Sequence, residues 1–221
     1  MNAKQLAGEK AAKFVTDGMT VGLGTGSTVY YTIQRLGEMV REGLRIRGIP
    51  TSRRTEQQAR EVGIPLISFA EVSELDLTID GADEVSSELD LIKGGGGALL
   101  REKLVAAASR RLIVVADSSK RVATLGRFPL PVEVVPFAWE VTARRVADVG
   151  CVPTRRSVDG EPFVSDNGNY ILDCAFGSIP DPADRHRALK LLPGVVETGL
   201  FVGMAETVVI GSESGVSLLR R

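Results

Sequence analysis

The chain has 221 residues, of which 43% are hydrophobic and 25% are charged, and its formal net charge at neutral pH is −1. This length allows one large domain or two modest ones with a sizeable core. The near balance of charge argues against a nucleic-acid surface and against a membrane-binding patch. Any anionic partner must therefore be held by a few placed groups.

Cysteine usage and the N-terminal stretch favour a cytoplasmic protein. Cys151 and Cys174 lack the spacing of a metal site, which favours two reduced thiols over a disulfide. The stretch MNAKQLAGEKAAKFV has no uninterrupted apolar core and no cleavage site. We therefore interpret it as an amphipathic helix and not as a signal peptide.

The first part of the chain alternates predicted strands and helices. The strands, in chain order, are MTVGL, LRIRGIP, IPLISF, LDLTID, ELDLIK and RLIVVAD. The helices that follow the N-terminal one are TVYYTIQRLGEMV, RTEQQAREVG and ALLREKLVAAASR. This alternation is typical of an α/β fold with a Rossmann-like, mostly parallel sheet and helices on both of its faces.

The pattern changes at the proline-rich stretch GRFPLPVEVVPFAW. The elements that follow are predicted in the order βαββαβ, which is the ferredoxin-like arrangement of a smaller α+β domain. A last apolar strand, ETVVIGS, is expected to return to the first domain. We thus predict a Rossmann-like domain over residues 1–126 plus 203–221, and a ferredoxin-like domain over residues 127–202.

Polar loops follow the predicted strands of the first domain. Ligands of such sheets bind outside the carboxyl ends of the strands, so we expect these loops to face one crevice. The loops are residues 25–28, 51–52, 80–83, 93–97 and 117–120.

Two of these loops are rich in glycine. The first, GLGTGST, has the form of a phosphate loop between a strand and a helix, although a tight turn that merely needs glycine fits equally well. Ser27 stands where a dinucleotide fingerprint requires glycine, which argues against NAD. In the second, KGGGG, Lys93 precedes the glycines, so it is not a Walker loop. Close approach of the backbone to a ligand explains it better than a flexible linker.

Acid/base candidates lie around the second glycine loop. Asp80 and Asp83 suit either a helix N-cap or Mg²⁺ coordination, and a metal is disfavoured because no further ligand has a suitable spacing. Glu102 by itself would be a routine surface residue of a helix. His186 is the only histidine and is predicted to be solvated, so acid/base work falls to carboxylates and to Lys93.

Taken together, these stretches resemble the ribose-5-phosphate isomerase A family almost from end to end. The resemblance is carried by GLGTGST, DGADE, KGGGGALLREK, ADSSK, FPLPVEV, DNGNYILD and PGVVETGLF. It implies a cytoplasmic enzyme without cofactor or metal that forms a homodimer or homotetramer. Such an enzyme interconverts D-ribose 5-phosphate and D-ribulose 5-phosphate in the non-oxidative pentose phosphate pathway.

The resemblance also implies roles for individual residues. Glu102 would move the proton between C1 and C2 of the sugar. Asp80, Asp83 and Lys93 would bind the substrate around its reacting oxygens, and either aspartate could open the sugar ring. The other residues implied in substrate binding are Thr25, Gly26, Ser27, Thr28, Gly81, Ala82, Gly94, Gly95, Gly96 and Lys120. A pair of arginines, Arg53 and Arg54, departs from the family pattern and leaves the exact phosphate clamp open.

Two other classes of function fit parts of the pattern. A coenzyme A transferase-like enzyme of related fold would use Glu102 as a nucleophile. A sugar-phosphate sensor, such as the effector domain of a repressor, would bind the same ligand without chemistry. The sensor is disfavoured because only about 20 residues precede the first predicted strand, too few for a helix-turn-helix.

Overall fold

A computed structural model describes residues 2–221. Contacts between residues divide the chain into two compact units. The first contains the described residues up to 82 together with 101–121 and 204–221, and the second contains 83–100 and 122–203. The domain boundaries near residues 126 and 202 stay a prediction.

The structure contains six α-helices and fifteen strands in the described part of the chain. The helices are α1 (Ala3–Ala12), α2 (Val29–Arg41), α3 (Arg53–Glu61), α4 (Leu99–Ala107), α5 (Trp139–Ala147) and α6 (Pro182–Lys190). The strands are β1 (Thr20–Leu23), β2 (Arg47–Pro50), β3 (Leu77–Gly81), β4 (Glu84–Val85), β5 (Leu91–Ile92), β6 (Leu112–Asp117), β7 (Leu130–Val134), β8 (Val152–Arg155), β9 (Ser157–Val158), β10 (Glu161–Pro162), β11 (Tyr170–Ala175), β12 (Val195–Thr198), β13 (Leu200–Phe201), β14 (Thr207–Ser212) and β15 (Gly215–Arg220). None of the helices among residues 2–221 is long and apolar enough to cross a membrane.

The first unit is built on a six-stranded sheet with the order β15-β14-β6-β3-β1-β2. The five strands from β14 to β2 are parallel, and β15 is antiparallel to β14. Val21 and Leu23 pack into one cluster with apolar residues of α1 and α2. Val105 of α4 lies against Gly22 on the other face. The predicted mostly parallel sheet with helices on both faces is confirmed.

The second unit contains a four-stranded antiparallel sheet with the order β12-β7-β11-β8. With α5 and α6 between its strands, this is the predicted ferredoxin-like order βαββαβ. Its core includes Leu130, Val132 and Val134, which alternate along β7 as expected for a strand with one buried apolar face. A short hairpin, β9–β10, is inserted between β8 and β11.

Several predicted elements differ from the structure. The stretch IPLISF forms no strand, and Leu66 makes only an isolated bridge to Gly48. Pro65 precedes that bridge and lacks the N–H that a longer ladder requires. The edge strand β15 was not predicted, because its residues are mostly exposed and show no alternation of buried and exposed positions. The stretch VVETGLF divides at Gly199 into β12 and β13.

Candidate functional site

The loop after β1 is built around the carboxylate of Asp80. The amides of Thr25 and Gly81 both donate to Asp80 Oδ1, at 3.0 and 2.7 Å. A Cβ atom at Gly24 would lie 2.2 Å from the same oxygen, so only glycine leaves room for this side chain. Asp80 is fully buried at the end of β3, next to β1. The local sequence therefore fixes one carboxylate at the carboxyl edge of the sheet.

The hydroxyl of Thr25 ties together the ends of β1 and β2. Its Oγ1 atom lies 2.8 Å from both Thr51 Oγ1 and Ser52 Oγ, and 3.0 Å from Thr55 Oγ1. Thr55 Oγ1 also donates to the carbonyl of Gly24 at 2.9 Å. The sequence predicted that Thr51 and Ser52 face a ligand crevice. The structure shows that their hydroxyls support the first glycine loop.

The outer part of this loop has the features of an anion site. Gly26 and Ser27 are exposed, and Gly26 has a φ of +137° with no atom near the position of a Cβ. Helix α2 begins directly after Thr28, whose side chain makes no capping hydrogen bond. The amides of Tyr30 and Tyr31 already donate to the carbonyls of Gly26 and Thr28, so the backbone N–H groups of the loop itself and the positive end of the helix dipole are what favour an anion here.

A lysine that the sequence analysis did not single out reaches this loop. Lys4 of α1 donates from Nζ to Ser27 Oγ at 2.9 Å. Helix α1 can come this close to α2 because residue 8 is glycine. A Cβ at Gly8 would lie only 2.9 Å from the backbone of Thr28 and Thr32. The small residue at position 8 was the only local signal of this approach. A lysine on an amphipathic helix otherwise looks like a solvated surface residue.

The loop after β6 adds a second cation. Burial alone would raise the pKa of Asp117, but hydrogen bonds from Ser119 and the charges of Lys120 and Lys4 outweigh it and lower the pKa. Both lysines thus act on one carboxylate at the end of β6, and Lys4 also contacts the first glycine loop. Within the first unit, the predicted convergence of loops at the carboxyl ends of β1, β2, β3 and β6 is confirmed.

Glu102 is not the routine surface residue that its local sequence suggests. It lies in the first turn of α4 and its side chain is only 4% exposed. Burial of a carboxylate is costly and common at functional positions, where proton transfer benefits from exclusion of water. The structure thus supports Glu102 as a functional candidate on grounds independent of the motif.

The predicted residues of the second unit form an ordered turn. Lys93 is 2% exposed, and its Nζ lies 5.3 Å from the centre of the Phe201 ring. The Gly97 amide donates to the Gly94 carbonyl at 2.9 Å, and both glycines have positive φ angles. Asp83 Oδ2 accepts the amide of Gly95 at 2.7 Å. A flexible linker, the alternative for this glycine run, is thereby excluded.

A model of the family ribose 5-phosphate isomerase A (phosphoriboisomerase A) matches residues 47–215. Ribose-5-phosphate isomerase A from Bacillus thuringiensis is 60% identical over 220 residues, which cover 99% of this chain and 100% of the relative. The chain belongs to the ribose-5-phosphate isomerase A family. The resemblance inferred from the motifs is confirmed.

Solved structures of the family agree with this assignment. The ribose 5-phosphate isomerase A of Methanocaldococcus jannaschii superimposes with a TM-score of 0.95 at 39% identity, over 99% of this chain and 98% of that one. A D-ribose-5-phosphate isomerase in complex with phospho-erythronic acid gives a TM-score of 0.96 at 39% identity and covers both chains fully.

The structure also bears on metal binding and on the single histidine of the chain. Among residues 2–221, no three His, Cys, Asp or Glu side chains group in a way that could hold a metal ion. His186 is partly buried and its Nδ1 lies 2.7 Å from Thr198 Oγ1, so the prediction that it is solvated was wrong. The charged residues around His186 suggest a solvated helix surface and do not indicate Thr198, its partner on β12.

Proposed function

We propose that this chain interconverts D-ribose 5-phosphate and D-ribulose 5-phosphate through an enediolate, without a metal or cofactor. The observation that carries the proposal is its 60% identity over 220 residues to a ribose-5-phosphate isomerase A. The DGADE and KGGGGALLREK stretches contain every proposed acid/base group and support the same reaction. We also propose that the enzyme acts in the cytoplasm, in the non-oxidative pentose phosphate pathway.

The first glycine loop is proposed to bind the phosphate group. The backbone and hydroxyls of residues 25–28 offer neutral donors at the start of α2, and Lys120 offers a positive charge. Lys4 joins this set because its ammonium group already contacts Ser27. Phosphate held at this end provides binding energy for positioning the reacting end of the sugar.

Glu102 is proposed to transfer the proton of the reaction. In the open-chain aldose its carboxylate removes the proton from C2, which leaves an enediolate, and then returns the proton to C1. A well-placed general base of this kind contributes about 10²–10⁴-fold to the rate. The burial of Glu102 supports this role. Once the carboxyl group holds the transferred proton, shielding from water limits the exchange of that proton with solvent.

The remaining residues are proposed to act on the oxygens of the substrate. Charge develops on these oxygens in the enediolate, and fixed donors stabilise it. Lys93 and the amides of residues 94–96 would supply such donors, and Asp80 and Asp83 would exchange hydroxyl protons and open the ring. The backbone of Gly81 and Ala82 would line the same substrate.

The proposed activity is tested by incubating the purified protein with ribose 5-phosphate in D₂O, with and without a chelator. We expect ketose formation in both cases. Glu102→Gln should lower kcat by about 10²–10⁴-fold and leave substrate binding nearly unchanged. Glu140→Gln is a matched control, since Glu140 is an exposed glutamate in the first turn of α5.

Each alternative has its own outcome in this experiment. No ketose from the wild-type protein would refute the isomerase proposal, and binding without conversion would favour a sugar-phosphate sensor. Normal turnover by Glu102→Gln would refute its role as the base. A hydroxylamine-sensitive thioester formed with coenzyme A would favour a transferase. Loss of activity with the chelator would contradict the metal-free reaction.

We further propose that the chain assembles as a homodimer or homotetramer, as its family resemblance implies. Light scattering of the purified protein during size-exclusion chromatography tests this directly. A mass of about twice or four times that of the 23.6 kDa chain is expected. A monomer at micromolar concentration would refute the proposal.

A further inference from the structure

Arg156 connects the second glycine loop to the ferredoxin-like sheet. It lies between β8 and β9, and its side chain is 14% exposed. Its Nε donates to Asp173 Oδ2 at 2.9 Å and its Nη2 to Asp173 Oδ1. Its Nη1 donates to the carbonyls of Gly94 and Gly95, at 3.0 and 3.1 Å. One guanidinium group therefore donates hydrogen bonds to a carboxylate and to two carbonyls of the loop.

The two carbonyls determine where the next two amides point. In a trans peptide the C=O and the N–H point in opposite directions, and no peptide bond among residues 2–221 is cis. The carbonyl of Gly94 shares its peptide with the amide of Gly95, which donates to Asp83 Oδ2 at 2.7 Å. This single peptide thus bridges Arg156 and Asp83. The amide of Gly96 is likewise directed away from Arg156.

The backbone of Arg156 and a neighbouring ring hold the guanidinium in place. The Arg156 amide donates to the Ile171 carbonyl at 2.8 Å, and its own carbonyl accepts the Phe163 amide at 3.0 Å. The Phe163 ring centre lies 5.7 Å from the guanidinium carbon. A Cβ at Gly97 would lie only 2.3 Å from that ring, so the ring also packs directly against the loop.

We propose that Arg156 is a positioning residue for the isomerase reaction, held by Asp173 and acting through the Gly94–Gly95 and Gly95–Gly96 peptides. This proposal rests on the proposed function of the loop and of Asp83. A charged donor on each carbonyl polarises the peptide and strengthens its N–H as a donor. Arg156 thereby orients Asp83 and directs the Gly96 amide towards a developing oxyanion.

The test compares Arg156→Met with Arg156→Lys and with Arg155→Met. Arg155 is the matched control: it is adjacent and carries the same charge, but its guanidinium lies 4.4 Å from the Trp139 ring centre and 5.3 Å from that of Tyr170. For each variant, kcat and KM for ribose 5-phosphate are measured together with competitive inhibition by inorganic phosphate. Circular dichroism melting checks the fold.

A positioning role predicts a specific kinetic pattern. Arg156→Met should lower kcat by about 30-fold or more, since misplaced catalytic groups cost about 10²-fold. Inhibition by inorganic phosphate should change by less than about threefold, because that site is proposed on the other glycine loop. Arg156→Lys should recover part of kcat, since an ammonium keeps the charge but not the fork of donors. Arg155→Met should keep kcat near that of the wild type.

The proposal is overturned if Arg156→Met and Arg155→Met have kcat values within about threefold of each other. It is also overturned if only the melting temperature falls. Should Arg156→Met fail to fold, Arg156→Lys decides: unchanged kcat refutes the proposal, and reduced kcat with unchanged phosphate inhibition supports it. A wild-type protein without isomerase activity would refute the proposed function and this inference with it, whereas active wild type with unaffected variants would refute the inference alone.

Discussion

Replacement of Gly24 by alanine should damage both stability and activity through Asp80. The added Cβ would lie 2.2 Å from Asp80 Oδ1 and 2.5 Å from Asp80 Cα. The strands cannot simply separate, because the Gly24 amide donates to the Ile79 carbonyl at 2.9 Å. Overpacking costs about 1–3 kcal/mol, and loss of one hydrogen bond from a backbone amide to the carboxylate adds about 1.5–3 kcal/mol. We expect the free energy of unfolding to fall by about 2.5–6 kcal/mol.

The same displacement should reduce catalysis, because Asp80 is proposed to contact the substrate. A shift of about 1 Å in such a group costs about 100-fold in kcat/KM. Urea unfolding followed by circular dichroism measures the first effect, and initial rates with ribose 5-phosphate measure the second. Gly81→Ala is the control for stability, because its Cβ would have no neighbour closer than 3.6 Å. Gly24→Ala with stability within about 1 kcal/mol of wild type and rates within about threefold would refute the reasoning.

Three further predictions concern other parts of the chain. Glu206→Gln should lower the free energy of unfolding by about 0.2–1 kcal/mol at pH 7, because the ion pair with Arg111 lowers the pKa of this half-exposed carboxyl group. The difference from the wild type should vanish as the pH falls through that lowered pKa, and urea unfolding at several pH values would show this. Cys151 should be alkylated well before Cys174, because the Cys151 side chain is partly exposed whereas Cys174 is fully buried; equal labelling by peptide mass spectrometry would contradict this. Gly97→Ala should lower the melting temperature, since its Cβ would lie 2.3 Å from a phenylalanine ring at a φ of +78°, and an unchanged melting curve would refute the clash.

Much of the candidate site could be predicted because the residues that form it lie in short continuous stretches of the sequence. Glycine at position 24 admits a carboxylate, and the order of strand, glycine loop and helix predicts an anion site without any coordinates. The burial of Glu102 could not be predicted in this way. Its neighbours in α4, Arg101 and Lys103, are those of a solvated helix surface, and only packing places its carboxylate out of water.

Lys4 and Arg156 show a different limit. Lys4 contacts a loop 23 positions away, and Arg156 contacts one about 60 positions away. Neither residue carries a local signal that distinguishes it from other basic residues, such as the adjacent Arg155. Their partners are backbone carbonyls and hydroxyls, which every segment offers, so the sequence alone cannot select one.

The sequence by itself determined the fold class, the family and the chemical types of the acting groups. Alternation of apolar runs and polar loops specifies a mostly parallel sheet, because such strands must be buried on both faces. Tertiary structure alone decided which polar residues support the loops and which are available to a ligand. Thr51 and Ser52 became supports of Thr25, and Arg156 was brought to the second glycine loop, because hydrogen bonds between distant segments form only once the strands have paired.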